Sequence, residues 1–130
     1  MADNNATYDE VKAFLDEFKA KARVFGIDYN IDKEENQQTL FDLELFGSKR
    51  DEHILNLKPE DYYQGPDEND YDSEEGPVWM FGIGIKKRGR GKKIPIYIKI
   101  YITKVANTSN YCISFHVAKF EMKFPYKTQL

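Results

Sequence analysis

One cysteine, Cys112, stands alone among 130 residues, so the chain can form neither an internal disulfide nor a thiolate zinc site. That usage fits a reducing compartment. No apolar run approaches membrane-spanning length, and the first ten residues, MADNNATYDE, are polar and acidic, without the apolar stretch of a secretory signal. These absences lead us to expect a cytoplasmic protein with no membrane partner. The glycines do not fall in the spacing of a phosphate-binding P-loop, the acidic residues do not follow the EF-hand pattern, and no segment repeats. Nothing in the pattern calls for a metal or a cofactor. No linker composition divides the chain, so residues 1–130 read as one domain, large enough to bury a core without covalent staples.

What is abundant is aromatic: nine Tyr, nine Phe and one Trp argue for a folded globular chain and against disorder. The net charge of −3 hides a segregation. Pro59 to Pro77 holds eight carboxylates and no cation, whereas Lys86, Lys87, Arg88, Arg90, Lys92 and Lys93 place six cations within eight residues. The acidic run, with Gly65-Pro66 and Gly76-Pro77, predicts a hydrated loop over Gln64 to Pro77. The basic run contains Gly89 and Gly91 and predicts a hairpin loop. Its composition alone supports a phosphate-seeking finger and a merely solubilising loop equally.

Three runs carry the two-residue rhythm of strands: Val78 to Ile85, Ile94 to Ile102 and Tyr111 to Val117. Ile94, Ile96, Ile98, Ile100 and Ile102 point one way, and Tyr97, Lys99 and Tyr101 the other. The same alternation puts Trp79, Phe81, Ile83, Ile85, Tyr111, Ile113, Phe115 and Val117 on the core face. It leaves Val78, Met80, Cys112, Ser114 and His116 on the reverse. Val105 to Asn110 reads as the turn between the last two strands.

Ahead of these strands, Thr7 with Glu10 has the capping-box pattern, and Val11, Phe14, Leu15, Phe18 and Ala22 recur at helical spacing before Gly26. Ile27, Tyr29 and Ile31 suit a short edge strand. Asn36 to Phe46 suits either a short helix after Thr39 or an irregular apolar segment. Ser48 and Asp51 open a further helix with Ile54, Leu55 and Leu57, interrupted at Lys58-Pro59, and Pro59 starts a short turn. His53 within that helix is expected to be a solvated or partly packed residue without a role. Phe120 to Tyr126, limited by Pro125, is expected as an edge segment. The sum is an α+β domain with N-terminal helices packed on one face of a small antiparallel sheet.

In ordinary register Met80, Tyr97, Lys99, Ser114 and His116 share the surface away from the core. Such residues opposite a helix-covered face commonly mean only that water lies there. A phenol, an ammonium and an imidazole grouped beside a cationic loop can also hold a phosphodiester and move protons around it. RNA cleavage by its own 2′-hydroxyl needs no protein nucleophile and suits this set.

The order Leu57-Lys58-Pro59-Glu60-Asp61-Tyr62-Tyr63, then Trp79, Tyr97-Ile98-Lys99-Ile100 and Ile113-Ser114-Phe115-His116 resembles the messenger-RNA interferase toxins of the motility quorum-sensing regulator (MqsR) family, which share the RelE-like fold. Gly65-Pro66-Asp67, Phe81-Gly82 and Cys112 to Ala118 look like a subgroup of short bacterial proteins of that type. The resemblance spans Leu57 to the C-terminus. It implies a ribosome-independent endoribonuclease acting on mRNA and restrained by a cognate antitoxin. It carries the family's tyrosine onto Tyr97, two of its lysines onto His116 and Gln64, and its glutamine onto Met80. Gln64 brings no charge and Met80 no hydrogen bond. An unperturbed imidazole titrates near pH 6.5, so His116 suits a proton-transfer role, with Tyr97 as the phosphate-binding or second proton-transfer partner. Lys99 with Lys86, Lys87, Arg88, Arg90 and Lys92 would neutralise the RNA backbone. The other readings are a weak or inactive relative that only binds RNA or a protein, and a plain interaction module.

Overall fold

The computed structural model describes residues 5–127. Its first element, α1 (Tyr8–Phe25), opens on the expected capping box: Glu10 N donates to Thr7 Oγ1 at 3.1 Å, and Thr7 N donates to Glu10 Oε1 at 2.8 Å. Val11, Phe14, Leu15, Phe18 and Ala22 form its buried stripe. Gly26, at φ 82°, ends the helix in a conformation that a side chain would resist.

The edge strand β1 (Ile27–Tyr29) then pairs with the last strand in parallel, Asp28 facing Tyr111. The remaining helices are α2 (Glu34–Asp42) and α3 (Lys49–Leu55). A turn of 3-10 helix at Pro59–Asp61 leads into β2 (Tyr62–Asp67), followed by β3 (Val78–Lys87), β4 (Arg90–Tyr101) and β5 (Asn110–Val117). The order across the sheet is β1-β5-β4-β3-β2. The fold is thus α+β as expected, with the correction that β1 makes the sheet mixed.

Trp79, Phe81, Ile96, Ile98, Ile100, Cys112 and Phe115 meet the α1 stripe, Ile54 and Leu57 in one core. Helix α2 does something else. It buries Asn36 and Thr39 while leaving Phe41 in water, because those polar side chains serve the part of β5 that β1 does not reach. Phe115 N donates to Asn36 Oδ1 at 2.9 Å, Asn36 Nδ2 donates to the Ile113 carbonyl at 3.0 Å, and Val117 N donates to Thr39 Oγ1 at 3.1 Å. Buried backbone groups need such partners, and here a helix stands in for a strand. The ambiguous segment after Asn36 is therefore a helix that begins before Thr39.

Four further expectations change. Gln64 to Asp67 is not loop but part of β2, tied to β3 by the pairings Tyr62 with Phe81 and Gln64 with Met80. Its proline is tolerated because β2 lies at the sheet edge. The basic loop shrinks to the two residues Arg88 and Gly89, at φ 52° and 68°, with strand pairing running to Lys87 and Arg90 on either side. In β5, Lys99 faces Ser114 but Ile100 faces Cys112, so Ile113 is an extra residue and the alternation slips there. Cys112 consequently joins the main core, while Ile113 and Tyr111 pack on the reverse face with Val78, Met80 and Tyr101. Finally, Phe120 to Tyr126 is no strand. Phe120 packs on Tyr63 and Tyr97, and Tyr126 rounds the sheet edge to stack on Tyr62 and donate its hydroxyl to the Ala6 carbonyl. Between them Met122 and Phe124 rest on Gly82, where a Cβ would sit 2.6 Å from Met122 Cε. A side chain at position 82 would push the ends of Met122 and Phe124 off the sheet.

Candidate functional site

The strands order the predicted residues into two rows across the reverse face. Gln64, Met80, Lys99 and Ser114 stand side by side on β2, β3, β4 and β5, and the next row holds Gly82, Tyr97 and His116. The bulge lies on the far side of Ser114, so the phase that carries His116 is undisturbed. Tyr97 and His116 are directly opposite, with ring centroids 5.5 Å apart. Gln64 is two strands from Lys99, about 10 Å at normal strand spacing, and its amide is engaged by the Asp67 carboxylate. Tyr97, Lys99 and His116 are therefore brought together; Gln64 stands apart.

His116 is only 5% exposed. Its Nδ1 lies 3.0 Å from the Val117 carbonyl, which can only accept, so Nδ1 carries the hydrogen and the neutral ring keeps its lone pair at Nε2. Glu35 Oε2 lies 3.8 Å from Nε2, and Lys119 makes an ion pair with the same carboxylate. Burial holds the His116 pKa below the ordinary value, outweighing the Val117 carbonyl and Glu35, which favour the imidazolium, while Lys33 and Lys119 disfavour it. The imidazole opens on a cleft of about 530 Å³ between α2 and the end of β5, bordered by Glu34, Glu35, Gln38 and Lys119.

Tyr97 moves in the opposite sense. Burial first, then the neighbouring Tyr63 and Asp67, push its pKa up to about 12, so the phenol keeps its proton. The pair thus consists of a neutral base and a protonated acid in contact, the separation that acid–base chemistry at one site requires.

A cation that the sequence did not point to joins them. Lys33, at the N-terminal end of α2, reaches across β5 to donate to Ser114 Oγ at 2.7 Å, beside Lys99 in the register. Burial, and then the charges of Lys99 and Lys119, hold its pKa below the usual lysine range, with Glu35 acting the other way. A half-buried ammonium that lacks a carboxylate at hydrogen-bond distance is suited to an anion that arrives. No periodic pattern marks Lys33; only the path of α2 along β5 places it.

The basic hairpin lies elsewhere. Arg90 is seven residues from Tyr97 along β4, about 23 Å at the usual rise, and Arg88 is held by Glu44 with Nη2 2.6 Å from Oε1. Lys86, Lys87, Arg90 and Lys92 are exposed around this tip. Lys93 runs back over Gly84 on the site's side of the sheet, its Cβ 2.9 Å from where a Gly84 Cβ would be. His53 is half-buried with its pKa lowered by burial, and it lines a separate cleft with Glu44, Arg88 and Gly89 at the hairpin tip.

Among the described residues no cluster of histidine, cysteine and carboxylate side chains has the makings of a metal site, and no helix is long and apolar enough to cross a membrane. No family model matches the chain, and no curated protein or solved structure matches it.

Proposed function

We propose that this chain is a toxin of the MqsR type, an endoribonuclease that cleaves mRNA through the 2′-hydroxyl and is restrained by an antitoxin protein. The observation that carries the reading is the Tyr97–His116 pair, opposite in register and shifted to opposite protonation tendencies, with the Lys99 and Lys33 ammoniums one position along. In the reaction the ribose 2′-oxygen bonds to the adjacent phosphorus as the P–O5′ bond breaks. His116 Nε2 takes the 2′-hydroxyl proton, and Tyr97 gives its proton to the departing 5′-oxygen. Lys99 and Lys33 neutralise the non-bridging oxygens as charge builds on them. Glu35 stabilises the imidazolium once it forms. The products are a 2′,3′-cyclic phosphate and a free 5′-hydroxyl.

Incubating the pure protein with a long mRNA and analysing the ends tests the proposal. Discrete fragments bearing cyclic phosphate, lost in His116→Ala, are expected; wild-type protein that leaves the RNA intact would refute it. One observation favours the milder reading of a relative that only binds RNA: Met80 is 4% exposed and Gln64 is occupied by Asp67, so neither serves a phosphate. Under that reading RNA is retained at low salt but uncut.

A further inference from the structure

The geometry points to a nucleobase-stacking subsite in which Phe120, backed by Tyr63 and Tyr97, takes an unpaired base of single-stranded RNA beside the phosphate held at Lys99 and His116. It rests on the RNA-directed reading of this face and deepens it. Phe120 is 49% exposed, and its ring lies 5.8 Å from Tyr63 and 5.6 Å from Tyr97, tilted and edge-on respectively. Tyr63 and Tyr97 themselves meet edge-on at 6.5 Å. The three rings brace one another and leave about half of Phe120 to solvent.

Single exposed aromatics are ordinary and need no ligand. Phe120 differs in its surroundings. Tyr97 touches Phe120 on one side and His116 on the other, so an aromatic surface and a proton-transfer group flank one phenol. Cations lie in the adjoining row, at Lys99 and Lys33. A nucleotide presents the same pairing, a flat apolar base joined to an anionic phosphate, whereas an apolar protein side chain would leave the cations unused. The platform is also held in place on both sides. Lys119 is tied to Glu35, and further along the chain Tyr126 is tied to Ala6. A surface ordered beforehand loses little entropy when a base settles on it. Stacking of this kind tolerates any base and discriminates against duplexes, whose bases are already stacked.

The test uses the whole chain and a fluorescent 2′-O-methyl single-stranded RNA of about twelve nucleotides, which binds but cannot be cleaved. Phe120→Leu, which keeps the apolar bulk and removes the π-face, is expected to weaken binding at least about fivefold, and Phe120→Trp to preserve it. Binding to a duplex RNA probe should be equal in the three proteins. Unchanged single-strand binding in Phe120→Leu overturns the subsite, as does tighter binding, which would mean that Phe120 obstructs the face. An equal loss on duplex also overturns it, since the effect would then lie in the fold rather than in stacking. The two readings fail separately. Phe120-dependent binding without cleavage removes the nuclease and keeps the subsite; cleavage with Phe120-independent binding does the reverse. If wild-type protein retains no single-stranded RNA, both fall.

Discussion

The two faces of the sheet are made by the same strands, and both are covered, yet the covers differ in kind. On one side α1 and α3 lay aliphatic and aromatic side chains against Ile96, Ile98, Ile100 and Phe115; the ionisable groups among the buried residues of that core are the Cys112 thiol, whose pKa burial pushes up to about 12, and the Tyr62 phenol, which donates to the Gly65 carbonyl. On the other side, the segment after β5 and α2 cover only parts of the surface. Buried there are His116 and Ser114, with Tyr97 and Lys99 half-buried between them. The first face is sealed, and its buried phenol and thiol donate to carbonyls within the protein. The second is enclosed just enough to move protonation equilibria while an imidazole and a phenol stay in reach of a ligand. Partial enclosure, rather than depth, is what separates the candidate site from the core in this chain.

That contrast is open to attack from both sides. Replacing His116 by Ala should lower RNA cleavage about 100- to 10,000-fold, the usual worth of a general base. Tyr97→Phe, which keeps the ring and removes the proton, should reduce cleavage by less, and single-turnover assays on both variants check the order. One residue along the same strand, Phe115→Ala should leave a cavity in the core and cost about 3–5 kcal/mol in urea unfolding. A much smaller cost would mean that the helix-covered face is not the principal core.

Asn36→Ala sharpens the account of the β5 edge. It strips the buried Phe115 N–H and Ile113 carbonyl of their partners and should cost roughly 2 kcal/mol in the same unfolding measurement. Acidity provides a subtler probe. His116 binds a proton near pH 6.5 in the unfolded chain but only at lower pH when folded, so in that window the unfolded state holds more protons. Stability should therefore fall as pH drops below about 6.5, and His116→Gln should flatten the fall. Cleavage should decline on the same side, with its midpoint below the ordinary histidine value. The smallest effect concerns charge. Lys99→Ala and Lys33→Ala should each lower the slope of log binding against log salt by about one, while Arg88→Ala, at a hairpin tip already neutralised by Glu44, should leave it nearly unchanged.

The residue pattern announced some of this plainly. The Thr7–Glu10 cap, the apolar stripe of α1 and the isoleucine alternation of β4 are local signals, each decided by neighbours a few positions away, and each formed as expected. Tyr97, Lys99 and His116 were legible for the same reason: alternation on β4 and the last residues of β5 is unbroken where they lie. Alternation failed at Ile113, because a bulge is an agreement between two strands and leaves no mark in one of them. The strand character of Gln64 to Asp67 was hidden by composition, since an acidic, proline-bearing stretch becomes a strand only when an edge is there to accept it.

Local chemistry along the chain thus settled the helix cap, the pleat of the central strand and the side of its own strand on which Tyr97 and His116 each lie, since interactions between near neighbours suffice for each. Lys33 and Phe120 came to that pair from the start of α2 and from the segment beyond β5, and Asn36 and Thr39 came to an exposed strand edge. Contacts between residues so far apart in the chain follow from how whole elements pack, and that packing was decided only when the sheet, its bulge and its covers closed on one another.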